Sequence, residues 1–279
     1  MNLVFSFDEA YTGPFKVLLH SIHKNNPNEK VAIYFLYFEL EDRGLQDLED
    51  TIQSYGYSFH PINCKSYLEQ SNEFHINRYY TVEMYLWLFA PYFLPEDVDR
   101  ALYLDPDIIN LNPISSLYES SFDDNLFIAM DYEEKNKLIQ PINNLRLRTR
   151  RAKRYYNTGV VMMNTAKIRN KRSAEEIVEA VIKNKAILIL PDQDIFNHLY
   201  HGEIKNGSWE LYNLDPRLYQ VGKVVMPESF NEKWLKDNVV FIHYLGKHKP
   251  WMEREKYRLD LGKYYFEYEN QVKNLSLEK

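Results

Sequence analysis

Cysteine and glycine are scarce in this chain, and each scarcity excludes a chemistry. A single cysteine, Cys64, leaves no partner for an intrachain disulfide framework. Nine glycines are few for 279 residues, and none fall into the G-x-G-x-x-G spacing of a dinucleotide site. The nearest approach to a phosphate loop, Gly202 to Gly207 in GEIKNGSW, lacks the Lys-Ser/Thr pair and reads as a turn. There is no H-E-x-x-H, no C-x-x-C and no G-x-S-x-G elbow for a serine nucleophile. No apolar run approaches the roughly 20 residues that a membrane helix needs. The opening MNLVFSFDEA has neither a basic nor a long apolar region, so it does not read as a secretory signal and a cytoplasmic protein is expected. A net charge of −6 argues against a nucleic-acid binder, whose footprint is basic. Any phosphate chemistry here must rest on a metal ion or on side chains.

What is present is an alternation. LVFSF (3–7), VAIYFLYF (31–38), ALYLD (101–105), NLFIAMDY (125–132), TGVVMMN (158–164) and VVFIHY (239–244) read as buried strands. Between them, 15–24, 45–52, 81–95, 173–183 and 192–200 carry helical spacing, with Ser173 placed as an N-cap and Pro95 as a stop. Alternation of this kind predicts an α/β fold around a mostly parallel sheet. No repeat or low-complexity linker interrupts it. The expected organisation is one domain over 1–279, with a core to about residue 251 and a helical appendage over 252–279.

Several constellations could carry chemistry. Asp105 and Asp107 flank a proline where an apolar strand ends, the edge at which open α/β sheets bind ligands. They form either a strand-ending acidic turn or a site for a hard cation, with Pro106 fixing the backbone between them. His243 also ends an apolar strand and is either a satisfied core residue or a ligand; an imidazole beside carboxylates tilts the choice toward Mn²⁺ over Mg²⁺. Gly246, Lys247 and Lys249 follow at once, in a loop that suits close backbone approach and a point charge on a phosphate. Asp192 and Gln193 stand at the mouth of a helix, where Asp194 reads as a complement to the helix dipole. Asn157 precedes Thr-Gly and a strand, either as a turn residue or as a polar reader at the sheet edge. RLRTRRAKR (146–154) holds six basic residues, read as a solvated loop, with attraction to an anionic acceptor or a membrane surface as the sharper alternative.

Taken in order, VFSFDEAY (4–11), YLDPDI (103–108), YYNTGVVMMN (155–164), DQD (192–194) and HYLGKHKPW (243–251) resemble the family 8 glycosyltransferases, the group of glycogenin and the bacterial lipopolysaccharide sugar transferases. The resemblance implies a GT-A fold and a retaining transfer of a hexose from a UDP-sugar to a glycan or glycolipid acceptor. It implies that Asp105, Asp107 and His243 hold Mn²⁺, or Mg²⁺. By the same resemblance, Ser6, Asp8 and Tyr11 line the nucleoside pocket, with Tyr11 on the base, and Gly246 and Lys249 meet the diphosphate. Asn157, Asp192, Gln193 and Asp131 would surround the sugar. Two positions depart from the pattern: Trp87 stands where an arginine is usual, and Ala10 where asparagine is common. Nucleic acid is not an expected partner, and peripheral membrane contact is compatible with the chain. Two other functions fit parts of the pattern: a nucleotide-sugar binder without transfer, and a nucleotidyltransferase, which would want a glycine-rich basic loop near the N-terminus.

Overall fold

The computed structural model describes residues 1–70, 83–132, 139–149, 152–252 and 254–277. Among these, nine strands run in chain order: β1 (Asn2–Phe5), β2 (Ala32–Tyr37), β3 (Ser58–Asn63), β4 (Arg100–Leu104), β5 (Ile108–Asn110), β6 (Phe127–Asp131), β7 (Tyr156–Asn164), β8 (Ile204–Gly207) and β9 (Phe241–His243). The chain clusters into two compact units, each drawn from three separate stretches. The first takes Met1–Glu9, Val31–Asp105 and Ser120–Gly207; the second takes Ala10–Lys30, Pro106–Glu119 and Ser208–Lys279.

The first unit is a helix-flanked sheet of seven strands in the order β3-β2-β1-β4-β7-β6-β8. Every neighbouring pair is parallel except the two made by β7, which runs against both β4 and β6. Strands buried on both faces need continuous apolar sequence, and β4 and β6 supply it. The edges need less. β3 is largely exposed and tolerates Pro61, as an edge strand can. GEIKNGSW, expected to be a turn, contributes the other edge: Ile204–Gly207 pairs in parallel with β6 and buries Ile204. Backbone pairing to an already formed strand overrides the weak strand propensity of Lys-Asn-Gly.

The expected helix 81–95 begins at Glu83 among the described residues; 81 and 82 lie outside them. It is broken rather than continuous, as helix Glu83–Leu86, a 3-10 turn Trp87–Phe89 and helix Ala90–Phe93. Pro91 has no N–H to donate, so the chain tightens before it and Ala90 bonds to Trp87 O. Helix Ala174–Asn184 starts as expected, with a capping box between Ser173 and Glu176.

The second unit packs helix Thr12–Asn25, helix Pro216–Val225 and helix Gly262–Leu277 around an aromatic-rich core that includes Tyr219, Phe230, Tyr244 and Tyr265. Its sheet is only β5 against β9, with Ile108 opposite His243 and Asn110 opposite Phe241. Three-residue strands need more than a ladder to hold them. Buried Asn110 donates its side-chain amide to Val240 O at 3.0 Å and accepts Asn26 Nδ2 at 2.8 Å, while its N–H donates to Ser21 Oγ at 3.0 Å. The end of β5 is pinned between a helix and β9, and at its start Asp107 O accepts the Tyr244 N–H at 3.0 Å.

Candidate active site

The reversed direction of β7 organises the first unit's site. Its first residues lie beside the last residues of its neighbours: Tyr156 opposite Asp131, Asn157 opposite Met130, and Val160 opposite Leu104. β1 ends level with β4, in the register Val4 to Tyr103. Ser6, Asp105, Asp131 and Asn157 are therefore brought to one edge of the sheet by pairing alone. Asp105 N–H donates to Gly159 O at 2.8 Å, and the Tyr103 hydroxyl donates to Asp105 Oδ1 at 2.7 Å.

Helix Pro191–Tyr200 delivers the acidic-glutamine motif to the same edge. Asn157 Nδ2 donates to Gln193 Oε1 at 3.0 Å, and Asn157 Oδ1 accepts Gly159 N–H at 3.0 Å, so both side-chain amides are held in fixed orientation. Asp192 Oδ2 accepts the Thr158 hydroxyl at 3.0 Å and the Trp87 indole N–H at 3.2 Å. Trp87 is fully buried, stacked on Tyr103 with ring centroids 5.0 Å apart. The indole thus serves the carboxylate that a guanidinium at this position could have paired. Its donor is neutral, however, and burial pushes the Asp192 pKa up against the help of Trp87 and Thr158.

Asp194 takes a different part from Asp192. Fully buried, it receives Arg146 through both terminal nitrogens (2.6 and 2.8 Å), the Tyr155 hydroxyl (2.6 Å) and the N–H groups of Ile189 and Leu190 (2.6 and 3.1 Å). Dipole complementarity is the lesser part of its role; it anchors a helix and a turn. Asp131 is also buried, with Arg154 Nη1 3.5 Å from its Oδ2. Two members of the basic run are therefore ion-paired to buried carboxylates, while Arg150 and Arg151 lie outside the described residues. Ser6 is buried, and its hydroxyl donates to Glu83 O at 2.7 Å. Asp8 is half-buried two residues further on.

In the second unit, Asp107 and His243 are both buried, and Asp107 Oδ1 lies 3.0 Å from His243 Nε2 without hydrogen-bond geometry between them. His243 Nδ1 donates to Asn213 Oδ1 at 2.7 Å, which leaves the lone pair on Nε2, toward Asp107. An imidazole lone pair set against a carboxylate oxygen is a donor set for a cation. Lys249, likewise buried, pairs with Asp107 Oδ2 and donates to Tyr244 O at 2.7 Å. Burial pushes Asp107 up, but the Lys249 ammonium, and the His243 ring in its protonated form, outweigh it and hold the carboxyl well below the usual carboxylate range. Gly246 is exposed and sits at φ +92°, a backbone conformation that favours glycine. Tyr11 is half-buried, edge-on to Trp251 with ring centroids 6.1 Å apart.

Three residues that hold these side chains in place had little or no sequence signal. Thr158 is adjacent to Asn157, yet nothing in its type marks it as a carboxylate donor. Asn213 lies 30 residues from the histidine that it orients. Arg146 was legible only as charge.

Sequence comparison gives these features a setting. The glycosyl transferase family 8 profile matches residues 2–255. A lipopolysaccharide 1,2-glucosyltransferase of Escherichia coli is 26% identical over 276 residues, covering 92% of this chain and 74% of that protein. General stress protein A of Bacillus subtilis is 22% identical over 274 residues, covering 92% and 89%. Among solved structures, the galactosyltransferase LgtC, in complex with donor and acceptor sugar analogues, superposes with a TM-score of 0.77 at 21% identity, covering 97% of this chain and 96% of that one. The fold is therefore the GT-A fold expected from the sequence. With its profile matched across nearly the whole chain and its motifs gathered at the sheet edge and on the β5–β9 pair, this protein belongs to glycosyltransferase family 8.

Proposed function

We propose that the protein is a retaining hexosyltransferase that takes a UDP-sugar as donor and a glycan or glycolipid hydroxyl as acceptor. Asp105, Asp107 and His243 are the residues from which it would draw the ligands of a divalent cation, Mn²⁺ in first place. The single observation that carries this reading is the opposed pair Asp107 Oδ1 and His243 Nε2, with Asn213 fixing the tautomer. Asp105 is joined to Asp107 through Pro106 alone, so a second carboxylate is available on the same short turn. When bound, such an ion neutralises charge on the diphosphate leaving group.

The remaining work falls to side chains. Lys249, released from Asp107, would place its ammonium on the departing diphosphate, where negative charge develops. The acceptor oxygen would bond to the anomeric carbon on the face that the diphosphate leaves. The carbon–oxygen bond to phosphate breaks with its electron pair on UDP, and the acceptor proton passes to a phosphate oxygen. Gln193, oriented by Asn157, would steady the oxocarbenium-like carbon from the opposite face. Asp192 and Asp131 would orient sugar hydroxyls, and Ser6, Asp8 and Tyr11 would line the nucleoside pocket. The likeness to lipopolysaccharide glucosyltransferases supports a sugar-chain acceptor carried on lipid.

A thermal-shift panel of nucleotide sugars with and without Mn²⁺, run on the native protein and on Asp107→Ala, tests the reading. Metal-dependent stabilisation by a UDP-sugar that is lost in Asp107→Ala is expected, together with slow release of free sugar by the native protein. Equal responses from the two proteins overturn the metal-bridged donor. Tight binding with neither hydrolysis nor transfer would leave a nucleotide-sugar binding module instead.

A further inference from the structure

A second surface of the first unit is made of residues other than those assigned above. Helix Gln140–Arg146 and the residue before it expose Ile139 (50%), Ile142 (65%) and Leu145 (80%), large aliphatic side chains three residues apart on a short helix. The turn before helix Pro191–Tyr200 exposes Ile189 (61%) and Leu190 (50%). These two stretches are more than 40 residues apart in sequence, yet one carboxylate ties them together. Arg146, at the end of the helix, donates to Ile187 O at 2.8 Å and pairs with Asp194, which also accepts the N–H groups of Ile189 and Leu190. Five exposed aliphatic side chains are thus held on a common, internally braced support.

Charge identifies what this surface meets. Residues 139–154 contain six basic side chains and no acidic one, in a chain whose net charge is −6. Arg148 and Lys153 are exposed. Arg148 sits at φ 58°, a left-handed conformation that favours glycine, so a charge is kept there at a backbone cost. The other group of exposed aliphatics, Val221, Val224 and Val225 on helix Pro216–Val225, has no such basic run beside it. Aliphatic side chains beside exposed Arg148 and Lys153, with no acid between residues 139 and 154, match the interface of an anionic bilayer.

We propose that Ile139, Ile142, Leu145, Ile189 and Leu190, with Arg148 and Lys153, form a membrane-contact face that seats the protein on anionic lipid. The face is independent of the donor assignment, since it shares no residue with it.

Co-sedimentation with vesicles of phosphatidylglycerol and phosphatidylcholine, against vesicles of phosphatidylcholine alone, tests the proposal. The native protein should partition onto the anionic vesicles, and added salt should weaken the partition. Ile142→Asp with Leu145→Asp should lower it by about tenfold or more, equivalent to about 1.4 kcal/mol of lost apolar burial and added charge repulsion together. Arg148→Glu with Lys153→Glu should remove the preference for anionic vesicles. Val224→Asp should partition as the native protein does. Thermal melting and UDP-sugar binding of every variant, measured alongside, show that each is folded. Equal partition of native and Ile142→Asp/Leu145→Asp proteins overturns the proposal, as does partition indifferent to lipid charge. So does a native dimer that the same double variant dissolves, since the face would then cover a second copy of the chain.

Discussion

Replacing Trp87 with phenylalanine probes the bond between a neutral indole and a half-buried carboxylate. Trp87 is fully buried, and its N–H reaches Asp192 Oδ2 at 3.2 Å. A hydrogen bond to a charged acceptor is worth about 1.5–3 kcal/mol, and the smaller ring leaves volume beside Tyr103 and Phe196 that costs about 1 kcal/mol more. At about 2–4 °C of melting temperature per kcal/mol, Trp87→Phe should melt roughly 5–15 °C below the native protein near neutral pH. Part of that loss is packing, so the informative quantity is the coupling with Asp192→Asn. In the Asp192→Asn background the acceptor is uncharged, and Trp87→Phe should cost less by about 1 kcal/mol or more. Measured sugar release should fall as well, because the carboxylate then loses one of the two side-chain donors, Trp87 and Thr158, that position it. If Trp87→Phe costs the same with or without the Asp192→Asn change, the indole acts only as packing, and its likeness to a missing guanidinium is empty.

The Asp192 carboxyl also sets a pH dependence. Its pKa is raised by burial, above the ordinary carboxylate value of about 3.9, so the folded state binds more protons than the unfolded state between those two values. Stability from this group is present below the ordinary value and lost as pH rises through the folded one. The melting temperature of the native protein relative to Asp192→Asn should therefore fall as pH rises above the ordinary carboxylate value of about 3.9; a difference that rises with pH contradicts the burial argument. Asn213→Ala removes the acceptor that fixes the His243 tautomer and should weaken Mn²⁺ binding by roughly 10- to 100-fold in a direct metal titration, with donor binding weakened in step. Unchanged metal affinity would show that the imidazole needs no such orientation.

How much of this was legible beforehand depended on whether a residue's partner was near it in sequence. Strands β1, β2, β4, β6 and β7 announced themselves as apolar runs, because strands covered on both faces must be apolar. The edge strand β8 did not, since Ile204–Gly207 is polar and owes its pairing to β6, more than 70 residues earlier. Pro91 was visible in the sequence, but the apolar pattern around it was continuous, and only the missing N–H explains the break at Trp87–Phe89. The site divides the same way. Asp105 and Asp107 stood out because two acids closing an apolar strand is an unusual local pattern. Asn213, Thr158 and Trp87 act on residues 30, 34 and 105 positions away, and nothing local marks such pairings. Asp194 looked like its neighbour Asp192, yet one anchors the scaffold and the other lies at the sheet edge.

Lys249 gives the second unit a resident counter-ion. Lys249 occupies Oδ2 while Oδ1 faces His243, so an ion that took both carboxylate oxygens would have to displace the ammonium, and its affinity would be reduced by the cost of breaking a buried pair. The displaced ammonium would stay tethered to the segment that carries Gly246, where Tyr244 O also accepts it. Occupancy of both carboxylate oxygens and the position of Lys249 would then be two readings of one equilibrium.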